Sequence, residues 1–248
     1  PRTVLNMFES FSKEFSRVFL SGNNWRYLTQ GLLRTLIIAA AAVLMGTVLG
    51  FLVGGVRASY DKNGGKLFRT KGANTLFAVI NWLCKLYLTV IRGTPVVVQL
   101  MIIYFVVFAS SSMNPMVSAM LAFGLNSGAY VAEIVRGGIM AVDNGQFEAA
   151  RSLGLPYHKT FRYVILPQAF KNVLPALANE FIVLLKETSI SGYIGLTDLT
   201  RGGDIVRSIT YDAMLPLFTV ALIYLVLVVI LSSLVKKLER RLRSNERR

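Results

Sequence analysis

Charged side chains stand within or beside apolar stretches of this sequence, where an ionised group usually has a function. Glu133 and Arg136 are three residues apart after a long uncharged stretch, and Glu180 and Lys186 belong to a second apolar region. Inside a membrane such groups are costly, so they normally face the interior of a helix bundle or a wet cavity. Glu133 and Arg136 can pair on one helix face. Glu180 either lines a cavity or pairs with Arg34 or Lys186, and the sequence allows both.

Metal and nucleotide chemistry are not expected of this chain. Cys84 is its one cysteine and His158 its one histidine, so a Cys/His metal cluster cannot form. The phosphate-binding motif GxxxxGK[ST] does not occur in the sequence. We therefore predict no catalytic residue, no metal site and no cofactor bound by this chain.

The composition predicts an all-α integral membrane protein. Of 248 residues, 54% are hydrophobic and 16% are charged, and the mean hydropathy is +0.53. A membrane-spanning helix needs about 20 predominantly apolar residues, so we expect about five spans plus amphipathic interfacial helices. The spans are 35–56, two within 93–132 that are divided at 110–115, a short one at 173–185, and 213–235.

Basic residues cluster beside the apolar stretches. Five Lys or Arg and one acid lie in 57–71, four Lys or Arg lie in 142–171, and seven basic residues with two acids lie in 236–248. Loops with such an excess stay in the cytoplasm, whereas 187–212, with four acids and two bases, is expected outside. Five spans then place the N-terminus outside and the C-terminus in the cytoplasm. Because the basic residues follow the topology, the net charge of +14 does not indicate nucleic-acid binding.

Two further segments are interpreted as interfacial helices. In 74–91, Asn81, Lys85 and the following Arg92 interrupt the apolar residues, so we expect the segment to lie at the cytoplasmic face. A sixth span is the alternative. Near the N-terminus, apolar residues at helical spacing predict an amphipathic helix on the membrane surface. They are Phe8, Phe11, Phe15, Val18 and Phe19.

One compact, basic segment interrupts the apolar pattern and reads QFEAARSLGLPYHKTFRYVILPQ from Gln146 to Gln168. Glu148-Ala149-Ala150 favours a helix, Gly154 stands where a left-handed cap would end it, and Pro156 suits the first turn of a second helix. Two helical pieces joined by a fixed bend fit a groove on a partner protein. We expect the segment to present these side chains to the partner: Phe147, Leu153, Leu155 and Phe161 beside Arg151, Lys159 and Arg162.

This segment resembles the EAA loop of bacterial ABC-importer permeases, which reads EAA, three residues, Gly, nine residues and I-x-L-P. Here Glu148-Ala149-Ala150 is followed after three residues by Gly154, and after nine more by Val164-Ile165-Leu166-Pro167. Val164 in place of Ile is the single departure, and it preserves a β-branched apolar side chain. The segments 91–100, 129–139 and 179–190 are similar to the polar amino-acid uptake branch of these permeases, and the likeness covers about 25–235.

The resemblance implies a multi-pass permease of the bacterial cytoplasmic (inner) membrane, surrounded by lipid. Its implied partners are a second permease copy or a homologous permease, a dimer of ABC ATPase subunits that binds ATP and Mg²⁺, an extracytoplasmic solute-binding protein and a polar amino acid. We expect an N-terminal amphipathic external segment at 1–30, a permease domain at 31–235 with a cytoplasmic coupling loop at 142–167, and a basic cytoplasmic tail at 236–248.

Two sets of candidate residues follow from this implied function. The ATPase-coupling set is Glu148, Ala149, Ala150, Gly154, Leu155, Pro156, Leu166 and Pro167. An amino acid carries a carboxylate and an ammonium, so its path must offer both donors and acceptors. The substrate-pathway set is Asn126, Ser127, Tyr130, Glu133, Asn179, Glu180, Lys186, Thr188 and Ser189. Hydrogen bonding between helices is the alternative role for these polar residues.

A different function class is also compatible with five spans and buried charges. A stand-alone secondary transporter or channel for small polar solutes would not need a docking segment and often carries a repeated half. A membrane-anchored structural or nucleic-acid-binding protein is disfavoured by the buried ionisable residues.

Overall fold

The computed structural model describes residues 9, 10, 12–68, 70–111 and 113–244, apart from the side chains of 243 and 244. Within them every regular element is a helix. The helices are α1 (Trp25–Asn63), α2 (Lys71–Gly93), α3 (Val96–Ile102), α4 (Pro115–Met140), α5 (Asn144–Ser152), α6 (Tyr157–Thr160), α7 (Leu166–Glu187), α8 (Leu199–Thr210) and α9 (Met214–Ser244). Short π-helical turns extend α3 over Ile103–Val107 and join α6 to α7 over Phe161–Ile165, and a 3-10 turn, Thr188–Ile194, follows α7. The all-α prediction is confirmed.

Four of the described helices are long and apolar enough to cross a membrane: α1, α2, α4 and α9. The expected first span lies inside α1, and the expected last span, 213–235, begins one residue before α9. α9 continues as a helix to Ser244, so most of the expected basic tail belongs to it, and 245–248 lie outside the described residues.

Small residues bring α1 and α4 into close contact. Gly46, Gly50 and Gly54 recur at intervals of four on α1, and all three are buried. A Cβ placed on Gly46 would lie 2.7 Å from the Cβ of Ser127, and one on Gly54 would lie 2.5 Å from the carbonyl oxygen of Ala132. Such spacing lets two helix backbones approach closely in a membrane, where van der Waals packing drives association.

α2 runs along α1, and α3 follows it in the chain. The rings of Tyr60 on α1 and Phe77 on α2 are 5.5 Å apart, and Leu88 of α2 belongs to the same apolar cluster as Val53 of α1. Leu100 of α3 belongs to the apolar cluster around Phe123. α3 with its π-helical turn is about 18 Å long at 1.5 Å per residue, too short for a hydrocarbon core of about 30 Å.

The segment 74–91 therefore packs antiparallel to α1, whereas the sequence indicated an interfacial helix. The polar residues that suggested an interface have partners on other helices. Asn81 accepts a hydrogen bond from Arg57 at 2.8 Å, and Arg92 lies 3.3 Å from Glu133. By length and composition α2 could cross a membrane, and α3 with its π-helical turn is a shorter apolar helix.

The bundle has two distinct ends. At one end the C-terminus of α1 meets the connection between α4 and α7. At the other end, Arg34 donates to the carbonyl of Thr197 at 3.3 Å, and the Thr35 hydroxyl accepts from the backbone N–H of Leu199 at 3.2 Å. Apolar clusters fill the space between the helices in both halves, around Phe123 and around Ile165.

The N-terminal segment packs on the second of these ends. Val18 and Phe19 are buried against Leu199, Val206 and other apolar residues of α8 and α9, and Asn24 donates to the carbonyl of Val18 at 2.8 Å. The sequence predicted a helix lying on the membrane surface, but these two side chains are covered by protein. Phe8 and Phe11 of that prediction lie outside the described residues.

Candidate coupling loop and polar groove

A rigid bend forms the centre of the coupling loop, residues 142–167. α5 ends at Ser152, and Gly154 takes the left-handed conformation, with φ of +83°. Its N–H bonds the carbonyl of Arg151 at 3.0 Å, and the N–H of Leu155 bonds the carbonyl of Ala150 at 3.2 Å. This hydrogen-bond pair is the Schellman C-cap. The Arg151 guanidinium then donates to the Leu155 carbonyl at 2.8 Å, which fixes the entry to α6. The predicted cap at Gly154 is confirmed.

The predicted coupling residues differ in exposure. Glu148, Ala149, Gly154, Pro156 and Pro167 are exposed. Leu155 is half-buried and Ala150 is buried, while Leu166 is 39% exposed at the start of α7. Leu153 is an apolar side chain with 84% of its surface exposed. This side chain stands at the tip of the rigid bend and is accessible from the solvent.

Phe147 and Phe161 face inward, against the prediction that they contact a partner. Both pack on the apolar cluster that contains Ala58 and Ile165. Tyr157 joins them, with ring centroids 5.5 Å from Phe147 and 6.4 Å from Phe161. Their burial stabilises the loop on the membrane domain because aromatic side chains contribute large contact areas. Leu153 and the polar residues remain on the outer surface.

The predicted pair of Glu133 and Arg136 is confirmed: the Nε atom of Arg136 lies 3.0 Å from a carboxylate oxygen of Glu133. It belongs to a larger charged network, which comprises Arg57, Asp61, Arg92, Glu133 and Arg136. Arg136 also lies 3.4 Å from Asp61, and Asp61 lies 3.7 Å from Arg57. The network therefore connects α1, α2 and α4. Arg92 additionally stands 5.8 Å from the ring centroid of Tyr130, which is 39% exposed.

Glu180 is buried in α7 and accepts a hydrogen bond from the Ser127 hydroxyl of α4 at 3.1 Å. The two cations that the sequence proposed as its partners lie elsewhere. Arg34 donates to the Thr197 carbonyl, and Lys186 is exposed. Among the described residues, this carboxylate is therefore hydrogen-bonded to a neutral hydroxyl group.

Asn126 supports the break between α2 and α3. The Gln99 amide donates to the carbonyls of Ile91 and Thr94, at 2.7 and 3.0 Å, and accepts from Asn126 at 3.2 Å. Backbone carbonyls freed by a helix break need such partners inside a membrane. Gln99 was not predicted as a site residue. The side-chain oxygen of Asn126, Oδ1, is buried and has no hydrogen-bond partner among the described residues.

One face of α7 lines a groove against α9. Near the coupling-loop end, Asn179 lines a cleft of about 730 Å³. Toward the opposite end, Lys186 and Ser189 line a pocket of about 320 Å³ with Thr200 and Tyr224, whose hydroxyls are 3.3 Å apart. We call this the polar groove. One side of it consists of Lys171, Pro175, Asn179, Ile182 and Lys186 of α7, followed by Ser189 of the 3-10 turn. Residues spaced by three, four and seven share one helix face.

The predicted pathway residues thus fall into four locations. Asn179, Lys186 and Ser189 line the polar groove. Asn126, Ser127 and Glu180 are buried between α4 and its neighbours, and Tyr130 and Glu133 belong to the network around Arg92. Thr188 is fully buried and donates to the carbonyl of Leu185 at 2.9 Å. Thr200, Tyr224 and Ser232 also line the groove but were not predicted, because their place on one face depends on tertiary packing.

A small charged cluster stands on α8, beside the end of the polar groove. Asp204 accepts from Arg207 at 2.6 and 2.9 Å and from Arg201 at 2.5 Å. Hydrogen bonds from Arg207, followed by the charges of both arginines, hold the pKa of Asp204 below its ordinary value of 3.8. Asp198 begins α8 by accepting from the N–H groups of Thr200 and Arg201.

Comparison with known proteins gives a consistent result. Residues 72–244 match the family described as binding-protein-dependent transport system inner membrane component. The chain is 40% identical to the arginine transport system permease protein ArtQ of Bacillus subtilis, covering 89% of this chain and 94% of that protein. It is 36% identical to the glutamine transport system permease protein GlnP of Escherichia coli K12, covering 87% and 93%.

Solved structures agree with these sequence relatives. A crystal structure of an amino acid ABC transporter with histidines contains a chain 41% identical to this one, with a TM-score of 0.77 over 90% of this chain and 98% of that one. The inward-facing MetNI methionine ABC transporter shares the fold, with a TM-score of 0.70 at 20% identity over 88% and 97%. The resemblance that the EAA segment indicated is confirmed, and the chain belongs to the family of binding-protein-dependent transport system inner membrane components.

Proposed function

We propose that this chain is the permease subunit of an ATP-driven importer of polar amino acids. The observation that carries the proposal is the coupling loop, whose bend at Gly154 is fixed by hydrogen bonds while Leu153 and Glu148 are exposed. A preformed surface costs little ordering entropy on binding, so it suits a contact that must transmit force. The named relatives transport arginine and glutamine, which supports a polar amino acid as substrate.

The proposed topology has five crossings: α1, the pair α2 and α3, α4, α7 and α9. The basic segments 57–71 and 142–171 meet at one end of the bundle, which we assign to the cytoplasm because of their positive charge. The N-terminus and α8 are then outside. The chain would lie in the inner membrane, in contact with lipid, and would not bind nucleic acid.

The proposed assembly contains two permeases and two ATPase subunits. The second permease is another copy of this chain or a homologous chain. ATP and Mg²⁺ would bind to the ATPase subunits, at the coupling loop side, and an extracytoplasmic solute-binding protein would deliver the amino acid at the α8 side.

We assign the substrate path to the polar groove and to Glu180 beside it. Lys186 is exposed in the groove, so its ammonium can bind the substrate carboxylate. Glu180 stands one residue from Asn179, and a buried carboxylate without a cationic partner is unfavourable. An ammonium or cationic side chain of the substrate would supply that charge. Glu180 and Lys186 are about 9 Å apart along α7. This distance fits charged groups at opposite ends of a long polar amino acid better than an ammonium and a carboxylate on the same α-carbon.

A stand-alone secondary transporter or channel is the second candidate function. The polar groove is compatible with it, whereas the exposed apolar tip at Leu153 would have no partner. Transport by an importer permease requires an ATPase subunit, whereas transport by a secondary transporter or channel does not, and this requirement distinguishes the two functions.

The test of the proposal is the association of coupling-loop variants with the cognate ATPase subunit. Glu148→Lys reverses an exposed charge on α5, and Gly154→Val places a β-branched residue at φ +83°, where it is strained. Losing about 1–3 kcal/mol from a small interface weakens binding by about 5- to 150-fold. Gln146→Lys, exposed on the same helix, is the control. Normal association and coupled transport in both variants would remove this role from the loop.

A further inference from the structure

The coupling loop has a specific polar link to α1. The side-chain amide of Asn63, the last residue of α1, donates to the Tyr157 hydroxyl of α6 at 2.9 Å and to the carbonyl of Ser59 at 2.7 Å. Gly64 ends α1 immediately afterwards in the left-handed conformation. Residues 63 and 157 are 94 positions apart, so this hydrogen bond joins two separate parts of the fold.

Two aromatic neighbours fix the ring of Tyr157 with its hydroxyl directed to Asn63. Phe147 packs against it edge-on, and Phe161 is stacked on it with an interplanar angle of 10°. Phe147 and Phe161 are themselves rooted in the membrane domain. A displacement of α6 therefore moves the Tyr157 hydroxyl and the end of α1 together.

α1 extends without interruption from this link to the opposite end of the bundle. Its 39 residues form one helix, about 58 Å long at 1.5 Å per residue. There its backbone contacts the connection before α8 directly: a Cβ on Gly31 would lie 2.5 Å from the Asp198 carbonyl oxygen. The Thr35 hydroxyl also accepts from the Leu199 N–H. A single helix thus has fixed contacts at both ends of the molecule.

We infer that Tyr157 is a positioning residue that transmits movement of the coupling loop to α1, and through α1 to the 197–203 segment on the opposite side. The inference rests on the proposed function, because the coupling loop must be the part that the ATPase subunits move. The hydroxyl of Tyr157 is bonded to Asn63 within the same chain.

The test uses Tyr157→Phe in the full complex with ATPase subunits and binding protein, reconstituted in liposomes. This change removes the hydroxyl and leaves the ring between Phe147 and Phe161. We expect normal assembly and normal basal ATP hydrolysis, with stimulation of hydrolysis by substrate-loaded binding protein reduced about three- to tenfold, the effect of one neutral hydrogen bond. Tyr163→Phe, in the same loop with Tyr163 63% exposed, is the matched control and should behave as the wild type.

A second variant tests the other partner of the bond. Asn63→Ala should reduce the stimulation at least as much, because it also removes the hydrogen bond to the Ser59 carbonyl, and the double variant should be no worse than Asn63→Ala alone, because the Tyr157–Asn63 bond is already lost there. Stimulation equal to that of Tyr163→Phe would overturn the inference, as would additive effects or loss of assembly in Tyr157→Phe. If Glu148→Lys also leaves ATPase association unchanged, the proposed function fails; if only Tyr157→Phe is silent, the inference alone fails.

Discussion

The α1–α4 interface and the polar groove between α7 and α9 use opposite kinds of side chain. At α1–α4, Gly46, Gly50 and Gly54 bring two helices together so closely that a methyl group would collide with the opposite helix. At the polar groove, Lys186 and Asn179 line open space. Apolar lipid does not drive helices together, so a fixed contact requires close packing, and a path requires its absence.

This difference separates a closely packed framework from a solvated part. α1 and α4 form one rigid pair that also carries the charged network and both end contacts of α1. α7 is between the two regions, with Glu180 directed to Ser127 of α4 and Asn179 directed to the groove. These two neighbouring residues of α7 therefore face different surroundings, and the proposed substrate path includes both.

The largest effect is expected at Gly50. A Cβ there would lie 2.5 Å from the Cβ of Val131 and 2.9 Å from the backbone nitrogen of Ala132. Gly50→Leu should therefore destabilise the fold by at least about 3 kcal/mol, as overpacking against a backbone does. Gly55→Leu, on the same helix with open space around it, should fold normally. Thermal unfolding in detergent measures both, and equal melting temperatures would show that the interface is not closely packed.

A smaller effect, on transport and not on folding, is expected at Glu180. Glu180→Gln keeps the shape and an acceptor for Ser127, so the melting temperature should change little. Loss of a charge-assisted hydrogen bond of about 1.5–3 kcal/mol should weaken substrate-stimulated ATP hydrolysis about tenfold or more, or shift preference from cationic to neutral amino acids.

Glu187→Gln, on the same helix, is the control for this change. Earlier melting of Glu180→Gln with unaltered preference would assign Glu180 to the framework, as a structural partner of Ser127.

The smallest effect is expected at Asp204, in the exposed cluster on α8. Because its pKa is lowered, its contribution to stability is present above the ordinary value of 3.8 and is lost as the pH falls through the lowered pKa. Asp204→Asn should therefore cost less than about 1 kcal/mol, and the cost should be constant between pH 7 and pH 5. Melting curves at both values test this, and a cost that disappears at pH 5 would contradict it.

The sequence was sufficient for the helical class, the Gly154 bend and the Glu133–Arg136 pair, because each depends on residues close in the chain. It was insufficient for α2. Asn81 and Arg92 suggested a position at the membrane interface. Their partners, Arg57 and Glu133, are on other helices, and a hydropathy pattern does not show which helices are in contact. The inward orientation of the Phe147 and Phe161 side chains was missed for the same reason, because it depends on packing against residues of other helices.

Part of what was not predicted had a local pattern. Gly46, Gly50 and Gly54 form a GxxxGxxxG repeat that indicates close helix packing. The Tyr157–Asn63 link and the groove residues Thr200, Tyr224 and Ser232 have no such pattern, since they are brought together only by the packing of distant helices.

The central claim is that this chain transports amino acids only when ATP hydrolysis by a partner acts on its coupling loop. The direct measurement is uptake of labelled arginine and glutamine into liposomes that contain the chain, with or without the ATPase subunits and ATP, in the presence of the solute-binding protein. We expect uptake of at least one of the two only when ATPase subunits and ATP are both present. Full-rate uptake by the chain alone would contradict the account and favour a stand-alone transporter.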